Sequence, residues 1–237
     1  MEIEILPAVL PKSFKDLKEH VGRLRGAVRR VQVDVVDGHF AHAPGFVGKT
    51  WPYRDHGTFA EIVKQEHGLP LWEEVDYEFD LMVKEPAPVV MDYVHAGASH
   101  IVLHAGSDGA VEALTKLVDL RDEGGTFTVQ VGVALGAHAQ PAELEPFESQ
   151  FDFVQVMGIE HEGRQGEPFD HKALFLVERL RALYPELPIQ VDGGVKTENI
   201  RALVRAGATR LVAGSAIFGA KDAKEAYRAL YTEANAQ

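Results

Sequence analysis

"VQVDVVDGHF", residues 31–40, has the β-branched density of a strand covered on both faces, yet it carries two aspartates and a glutamine. Side chains alternate along a strand, so Val31, Val33 and Val35 share one face and Gln32, Asp34 and Val36 the other. An unpaired carboxylate placed there costs several kcal/mol or takes up a proton. A strand of this kind belongs to a parallel sheet, and its acids need an internal reason.

Outward from this segment, short β-branched runs alternate with amphipathic stretches. Strands are expected at 3–9, 31–36, 75–82, 99–104, 127–134, 152–157, 188–192 and 209–213. Helices are expected at 13–25, 56–66, 87–95, 109–122, 142–149, 170–183, 197–206 and 222–234. Strict alternation implies parallel strands with right-handed crossovers. Eight units in 237 residues suit a closed (β/α)8 TIM barrel spanning 1–237 as one domain; a doubly wound open sheet is the alternative. The irregular stretches 37–55 and 158–169 both follow strands, which puts them on the C-terminal face of a barrel, where such folds build their sites.

The 36 acidic and 24 basic residues leave a net charge of −12, which disfavours nucleic acid and anionic membranes as partners. An anionic ligand would need a local positive feature. With no cysteine, disulfides and thiolate metal sites are excluded. No apolar run approaches the roughly 20 residues of a membrane span, and "MEIEILPAVL" has acids where a signal peptide has basic residues, so a cytoplasmic location is expected. Exposed barrel helices often pair, so self-association is expected, with no sequence patch to fix the number of copies.

Three strands finish with an aspartate: Asp34 in "VQVDVVDG", Asp80 in "VDYEFDLMV" and Asp192 in "IQVDGG". In a barrel these ends converge on one mouth. Each could cap a helix or tie down a loop, a reading that weakens when all three are taken together. Along the third strand Asp76, Glu78, Asp80 and Met82 share the face that would point inward, and so many acids require partners or a cation. Gln32, Gln130, Gln155 and Gln190 recur at similar depth and could form a layer of amides bonded to those acids. Two carboxylates flanking a carbon next to a carbonyl can remove a proton on one face and return it on the other, provided the enediolate is stabilised. Paired acids also fit hydrolysis or ion binding.

"DGG" at 192–194 precedes a helix, and "AGSAIFG" at 213–219 follows the last strand with room for a short helix inside it. Glycines admit an anion close to the backbone, helix N-termini offer free N–H groups, and barrels often hold phosphate with the loops after strands seven and eight. Ordinary tight turns would look the same. "GRQG" at 163–166 could add a third glycine edge and a contact from Arg164, or be a plain solvent loop.

In order along the chain, "LPAVL", "VDVVDGHF", "DLMVKEP", "AGASHIVLHA", "GVAL", "VDGGV" and "VAGSAIFG" resemble the ribulose-phosphate 3-epimerase family over nearly the whole length. The resemblance implies a (β/α)8 barrel, a pentulose phosphate substrate, inversion at C3 by two aspartates, and a divalent metal holding substrate oxygens. It assigns the acid/base roles to Asp34 and Asp192, the pocket lining to Met82 and Met157, and the phosphate cradle to Gly193, Gly194, Gly214 and Ser215.

Other positions depart from the family. Its two metal-binding histidines are Gln32 and Asp80 here, two serines near the first strand are Ala8 and Pro11, and the asparagine after "GVAL" is Gly136. Imidazole suits zinc and iron, whereas Gln32, Asp34, Asp80 and Asp192 would make an all-oxygen site for magnesium or manganese. Gln32 is either a substituted ligand or an amide supporting Asp34. Without a cation the three carboxylates would raise one another's pKa, leaving one protonated as an acid. The loop residues His39, His42 and His138 are candidates to replace a missing imidazole, or are simply solvated. The leading expectation is a sugar-phosphate epimerase. The alternatives are a different sugar-phosphate isomerase or lyase on the same scaffold, such as an aldolase or a decarboxylase, with a lysine-dependent aldolase disfavoured by the lack of a strand-end lysine (Lys196 lies in a turn), and a non-catalytic barrel that binds a phosphorylated ligand.

Overall fold

The computed structural model describes residues 2–40, 48–122, 128–147, 150–160 and 166–236. Eight parallel strands close into a barrel in sequential order: β1 (Glu4–Val9), β2 (Arg30–Val36), β3 (Asp76–Met82), β4 (Ala98–His104), β5 (Gln130–Leu135), β6 (Phe153–Met157), β7 (Ile189–Asp192) and β8 (Arg210–Ala213). Around it lie α1 (Phe14–Arg23), α2 (His56–Val63), α3 (Val90–His95), α4 (Ala110–Asp122), α5 (Lys172–Leu183), α6 (Thr197–Ala206), α7 (Ser215–Phe218) and α8 (Ala223–Asn235). The (β/α)8 expectation holds, and the open sheet is excluded because β1 pairs with both β2 and β8.

The helices form where an apolar stripe and a cap coincide. Ser13 accepts the backbone N–H of Asp16 at 3.2 Å, and α1 then buries Leu17 and Val21. Two expected helices are altered by proline. The stretch at 142–149 is a 3-10 helix over Pro141–Phe147 with Pro146 inside it, since proline lacks the N–H an α-helix needs. The stretch expected from 87 becomes helical only at Val90, after Pro86 and Pro88.

The main apolar core lies between strands and helices and takes the outward residues Val31, Val33 and Val35 together with Phe79, Leu81 and their neighbours. Two small apolar groups stand apart from it: Leu6, Ala8 and Val212, and Val102, Ala134 and Phe153. With the main core on the outside, the opposite strand faces carry an unusual load. Gln32, Glu78, Asp80, Gln155 and Gln190 are all fully buried. Two expected members of this interior are not there: Asp76 and Gln130 open their strands at the N-terminal rim and are exposed. The register then fixes the mouth. Asp34 pairs with Asp80, Val36 with Met82, and Met157 with Asp192. No helix among the described residues is long and apolar enough to cross a membrane.

Candidate active site

Asp34, Asp80 and Asp192 come from β2, β3 and β7, and one carboxylate oxygen of each lies within 4.8 Å of the others. Asp34 and Asp192 are each 8% exposed, while Asp80 is fully buried. The Gln32 amide nitrogen donates to Asp34 Oδ1 and to Asp192 Oδ2, both at 2.8 Å. One NH2 group therefore bridges two acids whose residues stand 158 positions apart in sequence if counted from Asp34, and its two hydrogens are fully used. With its nitrogen there, Gln32 supports the acids; acting as a cation ligand would require the amide to be turned over.

Asp80 is held independently. His104 on β4 approaches Asp80 Oδ1 with Nε2 at 2.7 Å, and Gln155 Nε2 donates to Asp80 Oδ2 at 2.9 Å. Below them, Gln190 donates to Glu78 and to Gln155 Oε1 (2.8 Å), with a longer approach to Gln32 Oε1 at 3.3 Å. The amide layer thus exists, built from Gln32, Gln155 and Gln190. Its N–H groups point at the acids and the Gln32 and Gln155 carbonyls accept from Gln190, while the Gln190 Oε1 has no hydrogen bond among the described residues. Among the described residues, Glu78 Oε2 lies 3.7 Å from Arg30 and has no hydrogen bond.

Burial pushes the Asp34 carboxyl up to about 8, and the charge of Asp80 adds to it; the Gln32 hydrogen bond and His104 oppose the shift. Asp192 is likewise raised, by burial first and then by the charges of Asp34 and Asp80. Burial takes Glu78 up to about 7 against the pull of Arg30. Below the cluster, burial and the nearby Arg30 and Arg210 lower His100 to about 3. The signs give a prediction for the metal-free protein. Between the ordinary carboxylate range and about pH 8 the folded chain keeps protons that the unfolded chain has released, so stability falls as pH rises, by roughly 1.4 kcal/mol per pH unit per group. His100 opposes this below about pH 6.5, where only the unfolded chain charges, but it is one group against three. The melting temperature of chelator-treated protein should therefore fall from pH 5 to pH 8, and a flat or rising profile would contradict the charge assignment.

Beside the carboxylates is a cleft open to solvent. It is lined by Asp34 and Asp192, by Met82 and Met157, by Ala8, and by Gly193, Gly194, Gly214 and Ser215. Gly193 and Gly194 have φ of +105° and +68°, a backbone region that favours glycine. A Cβ on Gly194 would also fall 2.8 Å from the Phe169 backbone. Gly214 leads directly into α7, the short helix expected within 213–219. The structure thus gathers every expected site residue it describes: Gln32, Asp80, the two acids, the two methionines and the glycine turns. Arg164 and His42 lie outside the described residues; Gly166, from the same "GRQG" loop as Arg164, does line the cleft. His39 is exposed, and His138 pairs with Asp170 at 2.6 Å.

Two residues were not singled out from sequence. His104 sits in "IVLHA" as the last residue of an ordinary apolar strand, and only the β3–β4 register places it against Asp80. Gly158 follows Met157, and a Cβ there would lie 2.2 Å from the Gly193 carbonyl oxygen. A glycine directly after a strand is the signal that could have marked it.

All three strand-end acids offer oxygen only, the donor set of magnesium or manganese. The hydrogen bonds named above leave Asp34 and Asp192 about three lone pairs each and Asp80 about two. Their mutual spacing and their buried, mutually repelling charges fit a divalent cation.

The model of the ribulose-phosphate 3 epimerase family matches residues 4–218. The chain is 31% identical to the ribulose-phosphate 3-epimerase of Schizosaccharomyces pombe over 226 residues, covering 95% of this chain and 91% of that protein. It is 30% identical to the Bacillus subtilis ribulose-phosphate 3-epimerase over 231 residues, covering 94% and 96%. Among solved structures it is similar in fold to 3-keto-L-gulonate-6-phosphate decarboxylase from Vibrio cholerae, with a TM-score of 0.70 at 14% identity over 99% of this chain and 98% of that one.

Proposed function

Because the chain belongs to the ribulose-phosphate 3-epimerase family, whose members are isomerases, we propose that it interconverts D-ribulose 5-phosphate and D-xylulose 5-phosphate by moving a proton at C3. The observation that carries this reading is the single Gln32 amide bridging Asp34 and Asp192 at 2.8 Å to each. That bridge fixes two carboxyl groups from β2 and β7 at the floor of one cleft, which is what inversion at a single carbon requires.

Inversion needs one carboxylate to accept the C3 proton and one carboxylic acid to supply a proton on the opposite face. Two adjacent buried carboxyls cannot both ionise readily, and the upward shifts of Asp34 and Asp192 keep a proton in the pair near neutral pH. The reverse reaction exchanges their roles. Gly193, Gly194, Gly214 and Ser215 present glycine backbone and the start of α7 to the phosphate. In a chain of net charge −12, this local feature holds an anion that the overall field repels. Met82 and Met157 give the carbon chain an apolar, adaptable wall.

Asp34, Asp80 and Asp192 would hold a divalent cation, magnesium or manganese in preference to zinc or iron. Such an ion supplies positive charge to the oxygens of the enediolate when bound. The test is turnover of D-ribulose 5-phosphate by purified protein, by chelator-treated protein, and by treated protein reloaded with Mg²⁺, Mn²⁺ or Zn²⁺. Turnover is expected to fall on chelation and to return with Mg²⁺ or Mn²⁺ more than with Zn²⁺. Absence of D-xylulose 5-phosphate under every condition would overturn the assignment.

A further inference from the structure

We infer that His104 and Gln155 form a two-point clamp that turns Asp80 into a usable cation ligand; the inference rests on the cation reading given above. Asp80 is fully buried and does not line the substrate cleft. Its two oxygens are held by different strands, Oδ1 by His104 Nε2 of β4 and Oδ2 by Gln155 Nε2 of β6. A carboxylate that binds a cation offers lone pairs alone, so His104 is the donor in this pair.

Holding both oxygens matters because a buried aspartate can still rotate its carboxyl plane. Two N–H donors at opposite ends fix that plane, and each oxygen keeps a lone pair for the cation. The supporting groups are themselves fixed. Gln155 Oε1 accepts from Gln190 at 2.8 Å, and the His104 ring packs 5.0 Å from Phe40. His104 is 1% exposed, so water does not compete for its contact with Asp80. His104 and Gln155 are positioning residues: neither lines the cleft beside Asp34 and Asp192. Groups that orient a metal ligand without touching the metal are worth about 10–100-fold in affinity.

The experiment is a titration of the purified full chain with Mn²⁺, read as free Mn²⁺ by electron paramagnetic resonance, so that no activity measurement enters. His104→Leu should weaken Mn²⁺ binding by about 10–100-fold. His104→Gln, which restores an N–H donor of similar reach, should recover most of the loss. Gln155→Leu removes the second donor and should weaken binding independently, and it carries the test if His104→Leu fails to fold by circular dichroism. Unchanged affinity in a folded His104→Leu protein, or in Gln155→Leu, overturns the clamp. Equal loss in His104→Gln and His104→Leu overturns it too, because a hydrogen-bond donor would then not be what matters. If the unaltered protein binds Mn²⁺, these failures concern the clamp alone. If the unaltered protein takes up no Mn²⁺, the cation reading falls and the clamp with it.

Discussion

Asp34→Asn and Asp192→Asn should each lower kcat for epimerisation by about 10³–10⁴-fold, the upper part of the range for loss of a positioned acid or base. Each change keeps the size of the side chain and removes its capacity to take a proton. The two variants should also fail in opposite ways. With one acid disabled, the other can still remove the C3 proton from the epimer it faces and return a solvent proton to the same face. Each variant should therefore exchange C3–H with solvent in one epimer and not in the other, and the favoured epimer should switch between them. Equal loss of exchange for both epimers in both variants would mean that the two acids do not act on opposite faces. The Gln32 bridge makes this a demanding test, because it fixes both carboxyls from a single amide.

A single methyl group at Gly158 should also be damaging, by a smaller factor and without touching an acid. The Cβ of Gly158→Ala would fall 2.2 Å from the Gly193 carbonyl oxygen and 3.0 Å from the Phe169 ring. Backbone must move, and the backbone concerned is the phosphate turn. Gly158 N–H also donates to the Asp192 carbonyl at 2.6 Å, so the shift reaches a reacting group. Misplacement of reacting groups by about 1 Å costs on the order of 10²-fold, and that loss in kcat/KM is expected here. Overpacking should also destabilise the fold by roughly 1–3 kcal/mol, read from denaturant unfolding. Gly57→Ala in α2 is the control, since nothing lies within 4 Å of a Cβ there. Activity of Gly158→Ala equal to that of the control would show that the 157–159 and 192–194 turns are not coupled.

The barrel was legible because parallel strands covered on both sides cannot hide: their β-branched runs and the helical stripes between them repeat eight times, and strand order follows from crossover handedness. The three strand-end acids were legible for a related reason, as charge placed where a strand should be apolar. What stayed hidden depended on register and depth. Gln130 shares its residue type with Gln155 and Gln190 but opens its strand at the exposed rim, where it approaches Arg210 at 3.5 Å. Asp76 alternates correctly with Glu78 and Asp80 and still ends in solvent, because alternation gives the face and not the height along the barrel. His104 was missed because its partner belongs to a different strand.

The most direct test of the central claim, that Asp34 and Asp192 act together on one carbon, is proton NMR of D-ribulose 5-phosphate incubated with the unaltered protein in ²H₂O. The account predicts that D-xylulose 5-phosphate forms with deuterium at C3, and that at equilibrium the C3 proton signal is lost from both epimers. Retention of the C3 proton in D-ribulose 5-phosphate, with no second epimer formed, would contradict it.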